Sequence, residues 1–171
     1  MDEDDKRRIS KTPADRRQAP MKQSAISAFR ALIEPIFRRP DFVQAAALCL
    51  RQGETGAEVL LVSSLSTKRW ILPKGWPMEG RTLAGAALQE AWEEAGVQGQ
   101  VNEVARGVIR YRKAVKGGIP VSCRCEVFDV AVTALAEDWP EKNRRRRRWL
   151  PIPEAIKVVC EPDLKALLRG L

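Results

Sequence analysis

The sequence predicts an α+β fold, a mixed β-sheet sandwiched between helices. Three observations predict it. Strand-like apolar runs lie before and after one central helical segment instead of alternating regularly with helices. That segment, residues 82–96, carries its own start and stop signals. Two more helical stretches close the chain, so helices are available for both faces of the sheet. With 171 residues, 44% of them hydrophobic and 30% charged, the chain suits one soluble domain with a proper core.

Residues 1–22 mix acidic and basic side chains with few apolar ones, and are expected to form a disordered arm. Residues 23–40 are expected to add a helix before the first strand. Ile26, Phe29, Leu32, Ile33, Ile36 and Phe37 give the helical apolar pattern, and Pro35 kinks or ends it. Such a helix would cover a sheet edge or form a dimer contact. Residues 41–171 carry the main domain. Its first strands, 43–51 and 58–63, are joined by the turn-rich Gln52-Gly53-Glu54-Thr55-Gly56. Residues 69–72 form a short strand. Residues 101–113 and 121–132 are long strand candidates linked by Ala114-Val115-Lys116-Gly117-Gly118-Ile119-Pro120, a flexible basic loop. Residues 146–150 start a last strand. Residues 153–159 and 163–168 are the closing helices, with Pro153 at a tolerated first-turn position.

The central helix carries the chemistry. Thr82 can cap it, its hydroxyl accepting from a free N–H of the first turn. Gly96 suits the left-handed residue that ends it. Ala84, Leu88, Ala91 and Ala95 form an apolar stripe expected to pack on the sheet. Glu90, Glu93 and Glu94 then fall within an arc of roughly 100° on the opposite side. Ala86 and Ala87 flank them and are small enough to let a bulky ligand approach. Three such carboxylates repel one another, and a divalent cation removes the repulsion. All-oxygen ligands suit Mg²⁺, with Mn²⁺ as the alternative. Taken alone, the triplet reads more readily as an exposed acidic helix face; the loop before it and the glycine after it shift that balance.

Composition narrows the chemistry further. Histidine is absent, which excludes His-dependent triads and imidazole acid–base catalysis. The formal charge of +8 favours polyanionic partners such as nucleotides, inositol polyphosphates or RNA. No run reaches the ~18 apolar residues of a membrane span, and the N-terminus lacks a signal-peptide core. The four cysteines have neither zinc-site nor disulfide-framework spacing, so buried free thiols in a reducing cytoplasm are expected.

Gly75, then Glu90, Ala91, Glu93, Glu94, Gly96 and Val97, stand at the spacing of the Nudix hydrolase box, which this segment resembles. Two positions depart: Arg81 stands where the family has its first Glu, and Gln89 where it has Arg. Glu79, two residues away, is a candidate replacement acid. The resemblance extends to Ala45-Ala46-Ala47-Leu48-Cys49-Leu50, Arg69-Trp70-Ile71-Leu72-Pro73, Glu137-Asp138-Trp139-Pro140-Glu141 and Trp149-Leu150-Pro151-Ile152-Pro153. These look like the branch that hydrolyses diphosphoinositol polyphosphates and diadenosine polyphosphates. That branch usually has basic residues where Val43 and Gln44 stand here.

The resemblance implies a Nudix fold and Mg²⁺-dependent hydrolysis of a diphosphate bond. It makes Glu90, Glu93 and Glu94 the catalytic carboxylates, with Glu90 also the candidate base. Together with the Gly75 carbonyl they would be the metal ligands. Lys68, Arg69 and Lys74 precede the box and are candidate phosphate contacts. Trp76 either stacks on a base or anchors its loop. Residues 144–148 are five consecutive arginines, and strand alternation would put Arg145 and Arg147 on one face. The run reads either as a phosphate or RNA patch, or as a solvated edge that blocks strand pairing. The expected partner is a polyanionic small molecule, with RNA as the alternative, acted on by a monomer or homodimer. Two other readings stay open: an RNA 5′-pyrophosphate or cap hydrolase, and a catalytically weakened sensor.

Overall fold

A computed structural model describes residues 42–113 and 120–171. The expected arm, the extra N-terminal helix and all but Pro120 of the basic loop lie outside the described residues.

Strand β1 (Phe42–Gly53) and β2 (Gly56–Ser63) form a hairpin with Gly53 opposite Gly56. Two very short strands follow, β3 (Trp70–Ile71) and β4 (Lys74–Gly75). Helix α1 (Leu83–Ala95) leads into the long strands β5 (Val97–Lys113) and β6 (Val121–Leu135). Strand β7 (Arg147–Pro151) runs into α2 (Ile152–Val158) and α3 (Pro162–Arg169). The sheet order is β3-β2-β1-β6-β5, with β7 on β2 and β4 on β1. The β1–β6 pair is parallel and the others are antiparallel, so the sheet is mixed as expected.

The apolar run in β1 explains the sandwich. Ala45, Ala47 and Cys49 join the core against α1, while Ala46 and Leu48 join the core against α2 and α3. Both sets are fully buried, as alternation in a sheet covered on both faces requires. Cys49, Cys123 and Cys125 are buried free thiols, and Cys160 is exposed. Among the described residues no helix is long and apolar enough to cross a membrane.

Strand β4 is not among the strands the sequence predicts. Gly75 pairs with Ala45 and Lys74 with Ala46, on the edge of β1 away from β6. This pairing fixes the loop against α1.

Candidate active site

Helix α1 begins and ends where its signals predict. The Thr82 hydroxyl accepts from the Gly85 N–H at 3.0 Å. Gly96 is left-handed at φ 66°, and its N–H donates to the Ala91 and Trp92 carbonyls. A Cβ at Gly96 would also stand 2.9 Å from Arg147 and 3.2 Å from Trp139.

The packing face of α1 differs from the expected stripe. Ala84, Ala86, Ala87, Ala91, Glu94 and Ala95 are buried, whereas Leu88 is half-buried. At ~100° per residue this arc takes in about half the helix, and Glu94 lies within it. Ala86 and Ala87 therefore pack into the core and open no path to a ligand. Glu90 and Glu93 are half-buried at the margin of the packed face and Glu94 is buried within it, where β4 folds over that side of the helix.

Gly75 makes this approach possible. A Cβ there would lie 1.7 Å from the Glu90 Oε1, so only glycine lets the Glu90 carboxylate rest against the β4 backbone. One turn on, the Lys74 N–H donates to the Glu94 Oε2 at 3.1 Å, and the Glu94 Oε1 pairs with the Arg145 guanidinium. Arg145 also pairs with Glu141 and donates to the Ser63 carbonyl at 3.2 Å. The Glu141 N–H donates to the Glu93 carbonyl at 3.0 Å, tying the segment before β7 to α1. Gln89, at the second altered box position, donates its amide to the Glu93 Oε1 at 2.8 Å. It thus keeps a donor on a box carboxylate. Arg81 and Glu79 are exposed in the turn before α1.

The electrostatics follow from this crowding. Burial raises the Glu90 carboxyl, and Glu93 and Glu141 raise it further; Arg145 and Lys74 pull it down. Glu94 is only 4% exposed. Burial pushes it up to about 7, although Arg145 and the Lys74 N–H pull it down. Four acidic side chains thus gather at one end of α1. Glu141 is the one sequence reasoning missed, although it belongs to the quoted Glu137–Glu141 motif.

Among the described residues, no three carboxyl or thiol side chains converge to grip an ion as they stand. Glu94 is turned to Arg145, Glu93 to Gln89, and Glu90 to Gly75. The donor set nevertheless fits a hard divalent cation. It is all oxygen, it is mutually repulsive at Glu90, and it sits on a glycine cradle that a Cβ would fill.

The other predicted residues divide. Arg145 lies in the segment before β7 and Arg147 is the first residue of that strand, and both side chains meet α1. Arg147 donates to the Ala95 carbonyl at 2.6 Å and the Ala136 carbonyl at 2.9 Å, and its guanidinium lies 3.9 Å over the Trp139 ring. In this position it closes the C-terminal end of α1. Burial lowers its pKa. Lys68 is exposed, with φ 56°. Arg69 and the Lys74 side chain line a cavity of about 410 Å³ together with Arg110, Tyr111, Arg112 and Glu161. The Lys74 Nζ lies 5.2 Å over the Tyr111 ring. Arg110, Tyr111 and Arg112 were not singled out in the sequence; they look like ordinary strand residues there. Gln44 is buried and accepts from the Tyr111 hydroxyl. Trp76 is 42% exposed and meets Phe42 edge-on, with ring centroids 5.9 Å apart.

Comparison with known proteins places this arrangement. The NUDIX domain pattern matches residues 42–168. The chain is 40% identical over 127 residues to mouse diphosphoinositol polyphosphate phosphohydrolase 3-alpha, covering 72% of this chain and 73% of that protein. It is 39% identical over 104 residues to mitochondrial Nudix hydrolase 12 of Arabidopsis thaliana. That match covers 59% of this chain and about half, 51%, of the plant protein. In fold it resembles the crystal structure of C. elegans Ap4A hydrolase, with TM-score 0.56 and 23% identity over 76% of this chain and 95% of the other. A NUDIX hydrolase from Nitrosomonas europaea gives TM-score 0.60 at 19% identity, over 76% and 87%.

Proposed function

The chain belongs to the NUDIX hydrolase family, and from that premise we propose that it is a Mg²⁺-dependent hydrolase of a diphosphate bond in a polyphosphorylated small molecule. The observation that carries this reading is the Glu90 carboxylate seated against the Gly75 backbone, with Glu93, Glu94 and Glu141 beside it. Glu90, Glu93, Glu94 and the Gly75 carbonyl are the groups that would hold Mg²⁺, with Mn²⁺ as a substitute. The ion, when bound, offsets charge on the phosphate oxygens and lowers the pKa of bound water.

The protein's own residues do the rest. Glu90 carries a raised pKa, which suits a base that takes a proton from the attacking water. Arg69, Arg110, Arg112 and Lys74 line the cleft where phosphates would lie, and their charge opposes that of the substrate. Lys74 and Gly75 join the two halves. Adjacent strand residues point to opposite faces, so the Gly75 position meets Glu90 while the Lys74 side chain reaches Tyr111.

Between the two substrates of the branch, we favour a dinucleoside polyphosphate over a diphosphoinositol polyphosphate. Val43 and Gln44 are uncharged where basic residues are usual, and Gln44 is already bonded to Tyr111. The exposed Phe42–Trp76 pair supplies aromatic surface beside β4 for a base. The RNA 5′-end reading rested on the arginine run, and Arg145 and Arg147 are both engaged by the protein itself. Free cysteines support a reducing compartment such as the cytoplasm. The test is product release from a panel of dinucleoside polyphosphates, diphosphoinositols and 5′-triphosphate RNA, with and without Mg²⁺. Turnover led by the dinucleoside compounds is expected. Tight binding of all of them without turnover would leave a sensor instead.

A further inference from the structure

Arg145 holds a position that the proposed metal chemistry does not explain. Its side chain is only 10% exposed, and it bridges Glu94 and Glu141. Both Glu94 oxygens are engaged: Oε1 by Arg145, and Oε2 by the Lys74 N–H at 3.1 Å. The Lys74 N–H belongs to a paired strand and cannot leave without unpairing β4 from β1. The Arg145 guanidinium ends a long flexible side chain and can. Glu141 would not be abandoned if it did, because Arg144 also reaches its Oε1 at 3.2 Å.

We propose that Arg145 is a built-in counter-ion of the acidic cluster, a positioning residue that yields Glu94 to the divalent cation. It keeps the carboxylates together before the cation arrives and competes with it afterwards. The inference rests on the metal reading of Glu90, Glu93 and Glu94. It separates two effects that a purely structural arginine would join. Removing Arg145 takes away a competing positive charge, so cation affinity should rise. It also leaves buried carboxylates without their partner, so the cation-free protein should lose stability. A merely structural arginine would lower both.

The experiment is Mn²⁺ titration of the substrate-free protein, with free Mn²⁺ read by electron paramagnetic resonance, alongside thermal unfolding in chelator. Wild type, Arg145→Gln and Arg145→Lys are compared. Arg145→Gln should bind Mn²⁺ about tenfold more tightly, the scale of losing one charge-assisted competitor. Its Tm in chelator should fall by several degrees, of the order expected for a domain this size. Arg145→Lys keeps the charge but not the fork, and should move both readouts the same way by less. It also carries the test if the glutamine variant does not fold. Mn²⁺ binding that weakens or stays level in a folded variant would overturn the counter-ion role while leaving the metal site standing. No Mn²⁺ binding by wild type would overturn both.

Discussion

On one face of the sheet α1 presents alanines; on the other, the core is built from leucines and valines. Ala84, Ala86, Ala87, Ala91 and Ala95 let α1 lie close enough for Glu90 to reach the Gly75 backbone and Glu94 to reach the Lys74 N–H. Leu48, Leu61, Leu72, Leu150, Leu164 and Leu168 fill the opposite face, and beside them opens the cleft lined by Arg69, Arg110 and Arg112. Small side chains bring a helix and its charges to the backbone. Large ones fill a core and leave room for a basic cleft at its margin. The helix carboxylates therefore collect on one side, with Arg145 paired to Glu94, while Arg69, Arg110 and Arg112 line the separate cleft, and the two-residue strand β4 touches both.

The comparison breaks most sharply at Gly75. Gly75→Ala places a methyl where the Glu90 carboxylate now lies, so the carboxylate must move by an ångström or more. Turnover should fall by about 10²-fold or more, the usual result of such a displacement in an active site. Measured kcat and Tm check this; an unchanged kcat would mean Glu90 works from somewhere else. On the basic side, Arg110→Gln or Arg112→Gln should raise KM about tenfold each and leave kcat nearly intact, as expected for lost charge-assisted contacts. A fall in kcat at constant KM would place these arginines with the acidic chemistry instead.

The smallest effect concerns pH. The Glu94 carboxyl is raised from 4.5 to about 7, so between those values the folded chain binds more protons than the unfolded one. Its contribution to stability is fully present below about 4.5 and is lost as pH rises through about 7. In chelator, Tm should therefore decline over this range, and Glu94→Gln should flatten the decline. A variant with the wild-type slope would assign the effect to another group.

Much of this was legible in the sequence, for local reasons. Thr82 and Gly96 act within one turn of helix, and the β1 run declares a strand buried on both faces. Box spacing named the three helix glutamates. What escaped depends on partners distant in the chain. Strand β4 has two residues, too few for any periodicity, yet its pairing with β1 sets the Gly75–Glu90 contact. Strand alternation does not reach Arg145, which lies before β7, and it could not say that Glu94 and the end of α1 stand opposite Arg145 and Arg147. Ala86 and Ala87 were misjudged because an isolated helix gives no sign of a second segment folding over its flank.

The central claim is that the α1 carboxylates support cation-dependent cleavage of a diphosphate bond. Its most direct test is ³¹P NMR of a dinucleoside polyphosphate incubated with wild type and Glu90→Gln, each with Mg²⁺ and with chelator. The internal diphosphate resonances should disappear with wild type and Mg²⁺ alone, and persist in chelator. Glu90→Gln should act about 10²–10⁴-fold more slowly, the range for a lost acid–base group. Cleavage in chelator, or an undiminished rate in Glu90→Gln, would contradict the account.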